Sequence, residues 1–125
     1  KQMAMIERGM QEPIIRVGNL EARRDFSHTR DAVRGLWLLL EHAPAGQVYN
    51  LCSGIATQIG EIVALVQVHG HAAATVQVDP TRLRPADEPL LVGDNRKLRA
   101  ATGWQPEIMM PEIVAELLDY WRARL

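Results

Sequence analysis

The order of apolar and polar residues predicts helices that alternate with short strands. Apolar residues recur every three or four positions in some segments, as in helices, and form short runs in others, as in strands. The predicted helices are Gln2–Arg8, Thr29–His42, a segment that opens at Thr57, Asn95–Thr102 and a helix that begins at Met110-Pro111. The predicted strands are Ile14–Val17, Gln47–Leu51, Thr75–Val78 and Leu90–Val92. This alternation indicates an α/β or α+β fold.

Apolar stripes on the predicted helices indicate which faces are buried. The long helix carries the stripe Val33, Leu36, Trp37 and Leu40, and the last helix carries Ile113, Leu117, Leu118 and Trp121. On the first helix, Met3, Ile6 and Met10 share a face for which the sequence offers no evident cover. We therefore expect that face to drive self-association. The strands are too few and too short for a complete doubly wound sheet, so the sequence predicts a small α/β lobe.

Composition narrows the class of protein. The chain has 125 residues, 47% of them hydrophobic, and 14 basic against 15 acidic side chains give a net charge of −1. The apolar content excludes a disordered chain, and the balanced charge argues against broad binding to nucleic acid or to a membrane surface. The single cysteine, Cys52, excludes an internal disulfide framework and is typical of a reducing compartment. We expect a cytoplasmic protein.

Two arginines in predicted loops are candidate phosphate ligands. Arg24 lies in a charged loop, and Arg84 lies in a proline-rich segment that restrains its backbone. A guanidinium group matches the oxygens of a phosphate, so two such arginines at one cleft would clamp a diphosphate. The alternative is that Arg24 pairs with Glu21, and Arg84 with Asp87, in surface ion pairs of small value.

Other chemistry-bearing residues are weaker candidates. His69 and His71 have no third ligand nearby, so we expect no metal site, and Cys52 has no neighbouring base in the sequence. The sequence contains no G-x-G-x-x-G or G-x-x-G-x-x-G loop, and no tyrosine is followed four residues later by lysine. We therefore expect neither a dinucleotide site nor catalytic residues in this segment.

Several segments together resemble the extended short-chain dehydrogenases (the NAD-dependent epimerase/dehydratase family) that act on GDP-sugars. The pattern G-N-L-x-x-x-R-D-F/W-x-H/D-x-x-D fits Gly18–Asp31, and Y-N-x-x-S/T-G fits Tyr49–Gly54. R-P-x-D/E fits Arg84–Asp87, G-D-x-x-K-L is similar to Gly93–Leu98, and T-G-W-x-P fits Thr102–Pro106. The most similar group is that of GDP-mannose 4,6-dehydratase and GDP-4-keto-6-deoxymannose reductase.

The resemblance implies a division of labour in a longer enzyme. Residues 1–125 would be the C-terminal, nucleotide-sugar-binding lobe, without the Rossmann domain that carries NAD(P) and the catalytic Ser/Thr, Tyr and Lys. The start at Lys1, inside a helical pattern, agrees with this expectation. By the resemblance the lobe binds a GDP-hexose through Val17, Gly18, Asn19, Arg24, Arg84 and Asp87. Arg24 and Arg84 would contact the diphosphate, Asp87 would lie at the ribose or orient an arginine, and Val17, Gly18 and Asn19 would frame the guanine pocket.

The resemblance leaves the exact activity open. Phe26 and Asp87 favour the reductase, because the dehydratases favour tryptophan and glutamate there. The alternatives are a lobe of a UDP- or dTDP-hexose epimerase or dehydratase, and a stand-alone, non-catalytic nucleotide-binding module. We expect the chain alone to bind no cofactor and to be inactive, and we expect a homo-oligomer that binds neither nucleic acid nor membrane.

Overall fold

The computed structural model describes residues 1–84 and 87–125. Pro85 and Ala86, the middle of the predicted R-P-x-D segment, lie outside the described residues. The helices are α1 (Gln2–Glu7), α2 (Thr29–His42), α3 (Ile59–His69), α4 (Arg96–Thr102) and α5 (Met110–Arg122). The strands are β1 (Ile14–Val17), β2 (Arg23–Asp25), β3 (Ala56–Gln58), β4 (Thr75–Val78) and β5 (Leu90–Leu91), and Pro80–Arg82 forms one turn of 3-10 helix.

The predicted α/β class, with helices and short strands, is confirmed. The described residues form two compact units, each built from separate stretches of chain. The first unit comprises Lys1–Ala22, Gln58–Pro89 and Met110–Leu125, and the second comprises Arg23–Thr57 and Leu90–Met109. The assignment of residues 1–125 to one substrate-binding lobe stays a prediction.

The first unit packs three helices with a two-stranded parallel sheet. β1 and β4 pair from Ile14 opposite Thr75 to Val17 opposite Val78. The buried core consists of Met3, Ile6, Ile15, Val114 and Leu118, to which α3 adds Ile62, Leu65 and Val66. The expectation that Met3, Ile6 and Met10 form an uncovered face is therefore wrong for Met3 and Ile6, whereas Met10 is 56% exposed. α1 lies against α5 and β1, and its Met3 and Ile6 are only 1% and 8% exposed.

A nearly buried ion pair ties the two ends of the first unit together. The Arg122 guanidinium donates to both carboxylate oxygens of Glu7, at 2.8 Å each. The same carboxylate accepts the His71 backbone N–H at 2.9 Å, and Arg122 also donates to the His69 carbonyl at 2.9 Å. The hydrogen bonds from Arg122 lower the pKa of Glu7 to about 2. His69 and His71 thus hold this pair through their backbones.

The second unit is organised around the first turn of α2. Its strands lie in the order β3-β2-β5, with β2 and β5 parallel. The Asp31 carboxylate, 2% exposed, accepts the Arg34 side chain and the backbone N–H groups of Glu107 and Ile108. Burial favours the neutral acid, but these hydrogen bonds outweigh it and lower the pKa of Asp31. The buried Trp104 ring donates to the Asp31 carbonyl at 2.9 Å.

The predicted apolar stripe of α2 is not buried. Val33, Trp37 and Leu40 are 60%, 62% and 83% exposed, and the buried residues of this helix are instead Asp31 and Gly35. Helical periodicity shows that a face is apolar, but not that a partner for it lies within the described residues.

The predicted strand Gln47–Leu51 is wrong, because this segment is irregular. A strand needs a neighbour for its backbone groups. Here the Val48 carbonyl accepts the Lys97 ammonium group instead, at 2.9 Å. Conversely, the sequence predicts a charged loop where β2 lies. Its sequence, Arg23-Arg24-Asp25, has no apolar alternation, and it is a strand because β5 pairs with it.

No helix in the parts of the chain covered by the structure is long and apolar enough to cross a membrane.

The Glu7–Arg122 pair gives the first unit a defined acid sensitivity. The pKa of Glu7 falls from 4.5 to about 2 on folding. The pair therefore contributes fully above pH 4.5, and its contribution disappears as the pH falls towards 2. The shift corresponds to about 3 kcal/mol. We expect Glu7→Gln to lower the unfolding free energy by about this amount at pH 7 and to flatten its slope between pH 4.5 and 2.

Urea denaturation followed by circular dichroism at several pH values measures this. The matched control is Glu12→Gln, which removes the exposed ion pair with Arg16 and should cost less than about 1 kcal/mol. Equal losses in the two variants would contradict the assignment.

Candidate functional site

The loops that follow β1 and β4 meet at one end of the first unit. Because the two strands are parallel and in register, their carboxyl ends lie side by side, which is where ligands commonly bind in such sheets. The Asp79 N–H donates to the Val17 carbonyl at 2.8 Å. A Cβ on Gly18 would lie 2.7 Å from the Arg82 carbonyl oxygen. The Gly18-Asn19 turn therefore contacts the 3-10 turn so closely that no side chain fits at residue 18.

A second contact joins the Gly18-Asn19 turn to the residues beyond Arg84. The Asn19 side-chain amide donates to Asp87 Oδ2 at 2.9 Å. Its carbonyl oxygen accepts the Glu21 N–H, also at 2.9 Å, so both ends of the amide are used. Asp87 thus orients Asn19 directly. Arg84 itself is exposed, and the chain on either side of it, at Arg82 and at Asp87, is anchored to this turn.

The 3-10 turn adds three residues that the sequence analysis did not single out. Asp79 Oδ1 accepts the backbone N–H and the hydroxyl of Thr81, at 2.9 and 2.6 Å. Asp79 Oδ2 accepts Arg82 Nε at 3.3 Å. The Thr81 hydrogen bonds, with Arg82, lower the pKa of Asp79. The signal was present in the sequence, because Asp followed by Pro is typical of a cap at the start of a short helix.

The structure brings together five of the six predicted site residues in the first unit. Val17, Gly18 and Asn19 lie at and after the end of β1, and Arg84 and Asp87 lie after the 3-10 turn. Arg24 lies on β2, in the second unit. Its guanidinium Nη1 donates to the Arg23 carbonyl at 2.8 Å. Of the suggested surface ion-pair partners, Asp87 binds Asn19 and Glu21 accepts the Gln58 amide at 3.0 Å.

The residue after Arg24 holds a cluster of polar contacts in the second unit. Asp25 Oδ1 accepts the N–H and the hydroxyl of Ser53, at 2.8 and 2.6 Å. Asp25 Oδ2 accepts the N–H groups of Gly54 and Gly93, at 2.9 and 3.2 Å. The end of β2 is thereby attached to two loops that are far away in the sequence. We refer to this arrangement as the Asp25 cluster.

Cys52 has the properties of a packing residue. The thiol is half-buried, and burial, reinforced by the Asp25 carboxylate, raises its pKa. Because the reactive form of cysteine is the thiolate, a raised pKa lowers the reactivity of this thiol. Within residues 1–84 and 87–125, no three His, Cys, Asp or Glu side chains are grouped so that they could hold a metal ion.

The described residues do not fit a dinucleotide cofactor. Such a site places the pyrophosphate on a glycine-rich turn between a strand and the start of a helix. In the structure as described, Gly18 follows β1, but the chain leads on to β2, and β3 runs directly into α3. The connection from β2 to α2 contains no glycine, and that from β5 to α4 contains a single one, Gly93, where a Cβ would overlap the Cys52 sulfur. The turn at Gly18 is moreover filled by the Arg82 carbonyl.

The family resemblance is confirmed by comparison with known proteins. The family described as GDP-mannose 4,6 dehydratase matches residues 1–117, and the chain belongs to this family. The GDP-6-deoxy-D-mannose reductase of Pseudomonas aeruginosa is 32% identical over 125 residues, which cover 100% of this chain and 41% of the reductase. The GDP-mannose 4,6-dehydratase of Sinorhizobium fredii is 32% identical over 134 residues, covering 92% of this chain and 38% of the dehydratase. The chain thus spans about two fifths of the length of these relatives.

Solved structures share the fold. The structure of RMD from Pseudomonas aeruginosa complexed with NADPH matches with a TM-score of 0.90 and 31% identity, over 99% of this chain and 41% of that chain. A UDP-glucose 4-epimerase from Bifidobacterium longum, in complex with NAD+ and UDP, matches with a TM-score of 0.77. At 21% identity, over 98% of this chain and 38% of that chain, this second likeness shows the fold alone.

The tight contact at Gly18 can be tested by substitution. In Gly18→Ala the new Cβ would overlap the Arg82 carbonyl, which is backbone and cannot rotate away. We expect a loss of about 1–3 kcal/mol in unfolding free energy. The measurement is urea denaturation of the two proteins at pH 7.

Gly60→Ala is the matched control in the same unit. A Cβ there has ordinary contact, 3.4 Å from the Leu20 carbonyl, and residue 60 is helical. Alanine should therefore be neutral or stabilising. A Gly18→Ala protein as stable as Gly60→Ala would show that the two loops do not pack as described.

Proposed function

We propose that the chain is the GDP-sugar-binding part of a cytoplasmic, NAD(P)-dependent GDP-mannose 4,6-dehydratase or GDP-4-keto-6-deoxymannose reductase in deoxyhexose biosynthesis. The family match supports the parent enzyme. The observation that carries the role of this segment is the meeting of the Gly18-Asn19 turn with the residues around Arg84. Contacts to Gly18 and Asn19 restrain the chain on both sides of that arginine.

In this proposal the arginines bind phosphate and the Gly18-Asn19 turn shapes the nucleotide pocket. Arg24 and Arg84 each supply a planar, permanently charged group to the diphosphate. Val17, Gly18 and Asn19 frame the guanine, and Asp87 holds the Asn19 amide in one orientation. Asp87 lies at the ribose or orients an arginine in this proposal, and its contact with Asn19 also restrains the turn. Phe26 and Asp87 favour the reductase over the dehydratase.

The chemical step belongs to the remainder of the parent enzyme. NAD(P) supplies or accepts the hydride in such enzymes, and the described residues do not form a cradle for it. The sequence also holds no tyrosine followed four residues later by lysine. We therefore propose that this chain alone binds substrate without reacting it, and that the parent enzyme is a homo-oligomer.

Calorimetric titration with GDP, GDP-mannose, UDP and dTDP tests the binding role. We expect GDP and GDP-mannose to bind in preference to UDP and dTDP. Each charge-assisted hydrogen bond to phosphate contributes about 1.5–3 kcal/mol, so Arg24→Ala and Arg84→Ala should each weaken binding about tenfold or more. Arg96→Ala is the control, since that arginine is 88% exposed and paired with Asp94. It should leave the affinity unchanged.

Other outcomes select the alternatives. Preference for UDP or dTDP would indicate a UDP- or dTDP-hexose epimerase or dehydratase. Nucleotide binding in a protein whose full reading frame has no catalytic half would indicate a stand-alone binding module. If no nucleotide binds, the same titration on the full-length parent separates a site that needs the remaining residues from a wrong assignment of the arginines.

Light scattering on the full-length parent tests the homo-oligomer. We expect a mass of at least two subunits over the micromolar range. A monomer at high concentration would contradict this part of the proposal.

A further inference from the structure

The Asp25 cluster joins three stretches of chain that are distant in sequence. Its carboxylate accepts hydrogen bonds from Ser53, Gly54 and Gly93, and it belongs to the last residue of β2. A carboxylate that accepts several backbone N–H groups is held far more firmly than a side chain with one partner. The end of β2 is therefore fixed by its own side chain as well as by strand pairing.

The loops around Asp25 are closely packed against one another. A Cβ on Gly93 would overlap the Cys52 sulfur. Gly54 has φ +76, and a Cβ there would lie 3.2 Å from the Asn95 amide nitrogen. That amide donates to the carbonyls of Cys52 and Ser53, at 3.0 and 2.9 Å. Asp25 thus holds the N–H groups of Ser53 and Gly54, and Asn95 holds the carbonyls of Cys52 and Ser53.

Arg24 extends from the backbone that this cluster fixes. It is paired with Leu91 on β5 and is directly followed by Asp25. Beyond the end of β5, the Gly93 N–H donates to the Asp25 carboxylate. The position of the Arg24 Cα is therefore determined on β2 by a pairing on one side and by the Asp25 carboxylate on the other.

We propose that Asp25 is the positioning residue for Arg24, so that phosphate affinity depends on the Asp25 cluster. This inference rests on the proposed function, in which Arg24 binds the diphosphate of a GDP-sugar. It adds that Asp25 contributes to binding through Arg24 and does not itself touch the nucleotide. In the adjacent pair Arg24-Asp25, the first residue then binds phosphate and the second holds the first in place.

Asp25→Asn tests the proposal with almost no change in shape. The amide keeps one acceptor oxygen but presents an NH2 group to N–H donors, so some backbone groups lose their acceptor. We expect the Kd for GDP to rise about tenfold. Ser53→Ala removes one hydrogen bond of the cluster and should raise the Kd by about two- to fivefold, which keeps the test usable if Asp25→Asn folds poorly.

Asp31→Asn is the matched control. Asp31 is also a carboxylate in the second unit that accepts two backbone N–H groups and a side chain, and its loss should lower the thermal midpoint comparably. Asp31 does not hold β2. The Asp31→Asn variant should therefore bind GDP with a Kd within about twofold of that of the unsubstituted chain, when the two are measured below their thermal midpoints.

A double-variant cycle distinguishes a positioning role of Asp25 from a purely structural one. If Asp25 acts through Arg24, the variant Arg24→Ala/Asp25→Asn should bind GDP no more weakly than Arg24→Ala alone. The effects of Asp25→Asn and Arg84→Ala should instead multiply. The variants are made and titrated in whichever protein binds GDP without substitution, either this chain or the full-length parent.

The two proposals fail differently. If Arg24→Ala weakens GDP binding but Asp25→Asn behaves like Asp31→Asn, or if its effect multiplies with that of Arg24→Ala, the positioning role is wrong and the proposed function stands. If the full-length parent binds no guanine nucleotide, or binds it unchanged in Arg24→Ala, the proposed phosphate site is wrong, and the inference built on it is overturned with it.

Discussion

Parallel strand pairing is the constraint on which both units depend. Two parallel strands cannot be joined by a tight turn, so each pair must combine distant parts of the chain. β1 pairs with β4 across more than fifty residues, and β2 pairs with β5 in the same way. The same geometry places the loops after the paired strands at one end. In the first unit this brings Gly18 against Arg82, and in the second it brings Gly93 to Asp25.

Carboxylate side chains hold these loops in place beyond the ends of the paired strands. Asp25, Asp31 and Glu7 each accept backbone N–H groups from a segment at least 28 residues away. Asp79 does the same over two residues, within its own turn. An ionised carboxylate accepts such bonds more strongly than a neutral group does. The loops are therefore ordered without regular structure, and short strands suffice to define the fold.

Sequence patterns predicted what is determined locally. Ile14–Val17, Thr29–His42 and Thr75–Val78 have the bounds that periodicity, proline and glycine indicated. Patterns failed where a distant partner decides the outcome. Arg23–Asp25 is a strand because β5 lies beside it, whereas Gln47–Leu51 alternates correctly but has no neighbouring strand among the described residues. The predicted burial of the α2 stripe was wrong for a related reason, because an apolar pattern does not show which element covers it.

For the candidate site, the sequence supplied residue identities but not their contacts. The resemblance named Gly18, Asn19 and Asp87, and these three do lie in one place in the first unit. That Asp87 binds Asn19 could not be foreseen, because the two residues are 68 positions apart and either could have faced solvent. The Asp25 cluster was equally hidden, since Ser53 and Gly93 carry no local sign of a common acceptor.

The Glu7–Arg122 pair also has a consequence for the order of folding during synthesis. Its two residues are 115 positions apart, and the core around Met3 needs Val114 and Leu118 from the last helix. A growing chain therefore cannot complete the first unit until the ribosome has released α5. The second unit can close earlier, once Met109 has emerged. Until α5 has emerged, α1 lacks the core residues Val114 and Leu118 and is too short to be stable alone, so its apolar side chains are accessible to chaperones in that interval.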